Sequence, residues 1–166
     1  MKKIIAICLS TLLAPSLACA GEDPHQAQTR FGLADGTTGT LVVARRPIKP
    51  SASANSFMFV EKIAQTQDAD YLLLTSGGGS ACPASFSIAK VTQSGTTPTA
   101  FFGNCDDRQS VKVIQGKSIV ISLPAFESRY SKAAPITVVY DIPTGTLKKN
   151  GKPLSATCKN DACEGF

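Results

Sequence analysis

Few residues in this 166-residue chain could carry out covalent chemistry. There is one histidine, His25, and there are six cysteines. A thiol nucleophile needs a thiolate and a neighbouring base. His25 lies in a polar N-terminal stretch, and Cys82 has a ready partner in Cys105. A Cys-His pair or a Ser-His-Asp set is therefore not expected. Nor is a metal centre, because the cysteines lack paired C-x-x-C spacing and there is no second histidine. Carboxylates remain. Asp106-Asp107 follows Cys105, and Asp68 and Asp70 precede an apolar run. Two carboxylates flanking a cleft could hydrolyse a glycosidic bond. Adjacent aspartates more often cap or solvate loops. With no tryptophan and three tyrosines, the chain has little on which to stack a sugar. The run Ser76-Gly77-Gly78-Gly79-Ser80 lacks the Gly-Lys-Ser/Thr of a phosphate loop, and its glycines are expected to bend the backbone beside Cys82. No enzyme activity, metal or cofactor is expected.

The first 20 residues locate the protein. Lys2 and Lys3 precede an apolar stretch from Ile4 to Leu13. Pro15 and Ser16 break that stretch, and Ala18-Cys19-Ala20 precedes Gly21. This is the pattern of a secretory signal peptide, so residues 1–20 are expected to be removed and 21–166 to form a secreted β-rich domain. Leu17-Ala18-Cys19 is similar to the end of a bacterial lipobox, but Ser16 stands where that motif has leucine. Acylation at Cys19 is not expected. No apolar run in the mature chain is long enough to span a membrane, which points to the periplasm or the outside of the cell.

Cleavage leaves four cysteines, and an oxidising compartment favours two disulfides. Cys82 and Cys105 lie equally far from Gln93-Ser94, beside the turn-forming run Ser94 to Pro98. Two cysteines equidistant from a turn face each other across a hairpin, so Cys82–Cys105 and Cys158–Cys163 are the expected pairs. Loss of Lys2 and Lys3 leaves 15 Lys+Arg against 12 Asp+Glu, a net charge of +3. The basic residues are scattered. Nucleic-acid binding would need a basic stripe, and none is present.

The elements that would position these groups read as short strands. Tyr71 to Thr75 is apolar on both faces and is expected at the centre of a sheet. Phe57 to Ile63, Thr40 to Ala44, Ser85 to Thr92 and Thr99 to Gly103 are further strands. Val111 to Ile114 and Ser118 to Leu123 flank Gln115-Gly116-Lys117 as a hairpin. Ile136 to Ile142 alternates with period two. Asn150-Gly151 is the strongest two-residue hairpin signal, and Pro153 confines the last arm to an edge. Gly21 to Arg30 is expected to be a mobile tail with His25 in solvent. No stretch keeps helical spacing. The fold class is therefore all-β, a single-domain antiparallel sandwich or open barrel of short hairpins with two disulfides.

The C-terminal loop Cys158-Lys159-Asn160-Asp161-Ala162-Cys163 is a polar loop closed on itself. In cysteine spacing and leading lysine it resembles the inhibitory loop of Ivy-type periplasmic lysozyme inhibitors, Cys-Lys-Pro-His-Asp-Cys. Cys158, Lys159 and Cys163 match by position. Asn160, Asp161 and Ala162 replace the proline, histidine and aspartate. The resemblance implies a loop that plugs a partner's cleft.

With no catalytic set, the reading is a protein-binding module. It would be an inhibitor or immunity protein that neutralises a cell-wall hydrolase or a secreted toxin. The expected partner contacts are Asp106, Asp107, Arg108, Lys159, Asn160 and Asp161, all beside the disulfide-closed loops. Envelope assembly through a sheet edge and a carboxylate-based hydrolase are the alternatives.

Overall fold

The computed structural model describes residues 23–79, 81–155, 158 and 161–165. The expected signal peptide with Cys19, and the loop residues Lys159 and Asn160, lie outside them. The described residues form eighteen short strands and no helix. Both expected disulfides, Cys82–Cys105 and Cys158–Cys163, are present.

The sheets follow the chain closely. Strands β1 (Gln26–Thr29), β2 (Gly32–Asp35), β3 (Val42–Val43) and β4 (Arg46–Pro47) form an antiparallel meander, and β5 (Ser51–Ser53) follows it. The central sheet comes next, from β6 (Phe57–Gln65), β7 (Asp70–Gly77), β8 (Ala84–Thr92), β9 (Gly95–Pro98) and β10 (Phe102–Cys105). Its order is β10-β8-β7-β6, with β9 also on β8. The third sheet begins with β11 (Ser110–Ile114) and β12 (Ser118–Leu123). A separate hairpin of β13 (Phe126–Glu127) and β14 (Lys132–Ala133) interrupts it, and β15 (Ile136–Asp141), β16 (Thr146–Lys149) and β17 (Lys152–Leu154) complete it. The last strand, β18 (Ala162–Glu164), returns to lie parallel to β5.

The apolar run of β7 has the central position expected of it, between β6 and β8. Successive side chains on a strand face opposite ways. Tyr71 and Leu73 join Phe86, Ile88 and Phe102 against Ile119, Ile121, Leu123, Val138 and Tyr140 of the third sheet. Leu72 and Leu74 join Met58, Val60 and Val91 against Leu41, Val43, Ile48 and Ala52. Both faces of the central sheet are thus covered, and two cores share one layer.

The central hairpin turns at Gln93-Ser94, because Thr92 pairs with Gly95. Ser94 to Pro98 is mostly strand rather than turn. The register then slips. Phe102 pairs with Phe86 and Cys105 with Ala84, one and two residues beyond the β8–β9 register. Thr99 accounts for the break. Its hydroxyl accepts the Ile88 N–H at 3.1 Å, and its carbonyl accepts the Ser87 hydroxyl at 2.7 Å. Side-chain oxygens thereby replace ladder bonds between β9 and β10. Asn150 and Gly151 both have positive φ, 49° and 78°, as the hairpin between β16 and β17 requires.

The expected N-terminal tail is instead part of the fold. Pro24 O accepts the Val60 N–H at 2.9 Å, and the His25 Nδ1 lies 2.6 Å from Met58 O. These contacts satisfy backbone groups on the outer edge of β6, which would otherwise be open to another chain. Arg30 fastens the same region from the far side of β1. Its side chain donates to Asp70 Oδ1 and to the carbonyls of Thr66, Gln67 and Ala69. Polar composition alone suggested solvent, but the partners are 33 to 40 residues away in sequence.

Candidate functional site

The loop after β10 collects the first group of expected contact residues. Cys105 ends the strand with φ 74°, an uncommon conformation for a residue with a side chain. It turns the chain away from the sheet while its disulfide holds it to Cys82, Cα to Cα 4.5 Å. Asn104 is buried just before it and accepts the Asp106 N–H at 3.2 Å.

Asp106 points inward and is only 2% exposed. Arg108 folds back on it through its N–H at 2.8 Å, its Nε at 3.0 Å and its Nη2 at 2.6 Å. The Arg108 side chain holds the Asp106 carboxyl below the usual carboxylate range, against the opposing effect of burial. Asp106 is therefore a positioning group, with no open carboxylate surface. Arg108 keeps its guanidinium near the surface, its side chain 71% exposed, and Asp107 is exposed beside it.

Asp107 and Gln109 also line a groove of about 980 Å3 with Pro24, Leu33, Phe59 and Glu61. Phe57 adjoins the Phe59 ring, each 39% exposed, with ring centroids 5.0 Å apart. The His25 ring lies 5.2 Å from Phe59. Phe59 pairs with Thr75 and Glu61 with Leu73, so these residues share the face of the central sheet that turns toward the third sheet.

The Cys158–Cys163 bond ends in β18, which lies beside β5. Asp161 is exposed with φ 56°, a conformation that aspartate tolerates better than most residues, and its carbonyl accepts the Ser51 N–H at 2.9 Å. Cys163 is buried in the core beneath. Gly165 crosses Ser76 so closely that a Cβ there would collide with it. Among the described residues, none of the hydrogen bonds or ion pairs of the 105–108 loop reaches the 158–165 segment. Asp106 and Arg108 are joined to each other, while the Asp161 carbonyl joins Ser51.

Two of the four carboxylates suggested for hydrolysis are poorly placed for proton donation. Asp70 and Asp106 are both buried and ion-paired, and both are held below the usual carboxylate range. A general acid needs the opposite shift. Among the described residues no group of His, Cys, Asp and Glu could hold a metal ion, and no helix is long and apolar enough to cross a membrane.

Between Pro124 and Pro135 the sequence shows no periodic element. The structure places the β13–β14 hairpin there, against the Asn104–Arg108 loop. The Asn104 Nδ2 donates to Pro124 O at 2.7 Å and to Ala134 O at 3.0 Å, gripping both stems. The bracketing prolines and the Ser128-Arg129-Tyr130-Ser131 turn were the available signal. Strands of two residues are too short to show periodicity.

No protein family, curated protein or solved structure matches this chain.

Proposed function

We propose that the mature chain is a periplasmic or secreted protein-binding module that neutralises another protein. The partner would be a cell-wall hydrolase or a secreted toxin. The observation that carries this reading is the construction of the 104–108 loop. A disulfide, a buried asparagine and a buried aspartate hold it from inside, while Asp107 and the Arg108 guanidinium face out. A loop held this way loses little freedom on binding, which favours tight and specific association. The second disulfide brackets Asp161, whose side chain is also exposed. The net charge of +3 favours a partner of opposite net charge, with a cation of that partner facing each of Asp107 and Asp161.

The test is affinity capture with oxidised residues 21–166 as bait against envelope extract and secreted toxins. One stoichiometric partner is expected, and its hydrolytic or toxic activity should fall as the bait is titrated in. Asp107→Arg or Asp161→Arg should weaken that binding at least about tenfold, as charge reversal within an interface does. Both side chains are exposed, and Asp161→Asn, which keeps a residue suited to positive φ, controls for backbone strain at that position. Full binding by both variants would remove these loops from the interface.

One observation favours a second reading, assembly through a sheet edge. Strand β11 ends its sheet, with Val113 and Ile114 exposed. Lysine at both positions should block strand addition there, since charged side chains disfavour edge pairing. Co-purification with envelope components that disappears in Val113→Lys/Ile114→Lys would establish this reading in place of the first.

A further inference from the structure

We propose that the β13–β14 hairpin is a plug that enters the carboxylate-lined, sugar-binding cleft of a glycan-cleaving cell-wall hydrolase. This rests on the neutralisation reading and names its partner's chemistry.

The hairpin is built for presentation. Its strands pair only with each other, so it stands apart from the larger sheets. Its base is nevertheless fixed, because Asn104 binds a carbonyl on each stem and the Cys82–Cys105 disulfide anchors the backbone next to Asn104. The tip satisfies its own backbone. The Ser128 N–H donates to Ser131 O at 2.8 Å. The Ser128 hydroxyl accepts the N–H groups of Tyr130 and Ser131 at 3.2 and 3.1 Å. A rigid base and an internally bonded turn present Arg129 and Tyr130 at the tip, both exposed.

These two side chains suit the core of an interface. Tyr130 is 61% exposed, the most exposed large apolar side chain among the described residues. The Arg129 guanidinium lies 4.5 Å from its ring centroid, so the pair is already stacked before any partner arrives. Tyrosine and arginine are also among the residues that dominate binding energy at interfaces.

Charge selects the partner. Lys132 is paired with Glu127, and Arg108 with Asp106. Among the described residues Arg129 has no ion pair, so the tip offers one uncompensated cation on an aromatic surface. A nuclease toxin binds phosphates in a positive cleft and would repel it. Glycosidases instead place two carboxylates across a cleft that binds sugar rings. Arg129 would meet the carboxylates while Tyr130 occupies a sugar position.

The test measures inhibition of three purified peptidoglycan hydrolases by oxidised residues 21–166. These are a c-type lysozyme, a lytic transglycosylase and a zinc-dependent amidase. Inhibition of at least one glycan-cleaving enzyme is expected, with a constant of about 1 μM or below. Tri-N-acetylchitotriose should compete with it. Arg129→Ala/Tyr130→Ala should raise the constant at least about 100-fold, the size expected of two central anchors. Both side chains are exposed, so the unfolding midpoint should not change. Inhibition retained by the double variant, or not relieved by the sugar, would overturn the plug and leave the neutralisation reading standing. So would inhibition confined to the amidase. No inhibition in the panel, although capture yields a neutralised partner, would likewise overturn the plug alone. Failure of both panel and capture would overturn the two together.

Discussion

Asp70→Asn is expected to destabilise the fold by about 3 kcal/mol, the scale on which a buried ion pair fails when one partner is removed. The Asp70 side chain is fully buried. Its Oδ1 lies 2.7 Å from Arg30 Nη2, and its Oδ2 lies 3.0 Å from Lys62 Nζ. Its Oδ2 also accepts the Arg30 N–H at 2.8 Å. Asparagine would keep the shape but leave both cations facing a neutral amide. It would also loosen Arg30 from the carbonyls of the β6–β7 turn and from the N-terminal strand. For a chain of this size the melting temperature should fall by roughly 10 °C. A loss below about 1 kcal/mol would mean that Arg30 and Lys62 are adequately solvated without the carboxylate.

The same residue sets an expectation for pH. Burial opposes ionisation of Asp70, but the Arg30 N–H, the Arg30 guanidinium and the Lys62 ammonium outweigh it. They hold the carboxyl below its usual value of 3.8. A carboxyl whose pKa is lower when folded than when unfolded contributes stability that is complete above the unfolded pKa. That contribution is lost as pH falls through the folded value. Unfolding free energy should therefore drop below about pH 4 in the native protein. Asp106 is held low by Arg108 and adds to the drop in the same direction. In Asp70→Asn the fall should be shallower, with the Asp106 part remaining. Urea titrations of both proteins between pH 2 and 7 measure this directly, and parallel curves would contradict it.

Removing the Cys82–Cys105 bond with Cys82→Ser/Cys105→Ser should cost about 3 kcal/mol. The bond spans 23 positions, and closing a loop of that length restricts the unfolded chain by about that amount. The local consequence matters more for function. Cys105 is held at φ 74° by the bond on one side and the Asn104–Asp106–Arg108 contacts on the other. Without the bond the 104–108 loop should open at lower free energy, and the hairpin that Asn104 grips should open with it. Hydrogen exchange of residues 104–108 and 126–133 should rise together, while β7 and β8 stay protected. Exchange confined to 104–108 would show that the hairpin stands independently of the loop. The Cys158–Cys163 bond closes a much shorter span, and its removal in Cys158→Ser/Cys163→Ser should leave both segments unaffected.

Strands and turns were legible from sequence because their causes are local. The two-faced apolar run 71–75 implied a buried central strand, and β7 occupies that place with a core on each side. The alternation at Ile136 to Ile142, the Asn150-Gly151 turn and the symmetry of Cys82 and Cys105 about Gln93-Ser94 depend on neighbours a few residues apart. Asp106 was less legible. An aspartate beside another aspartate reads as exposed, yet an arginine two positions on lets it point inward with its charge satisfied. Asp107 and Asp161 do face out.

By itself the sequence determined the all-β class, most strand positions and both cysteine pairings, since side-chain alternation, turn chemistry and loop closure act over short distances. The tertiary structure alone decided which polar residues are interior, that the N-terminal stretch covers the edge of β6, and that a hairpin without periodic pattern is gripped at its base by Asn104. Apart from Asp106, which Arg108 satisfies from two positions away, each of those rests on hydrogen bonds or ion pairs between groups about 20 to 40 residues apart. Such partners carry no mark of one another in the chain, because a buried polar group needs only some partner of the right chemistry, and packing chooses which.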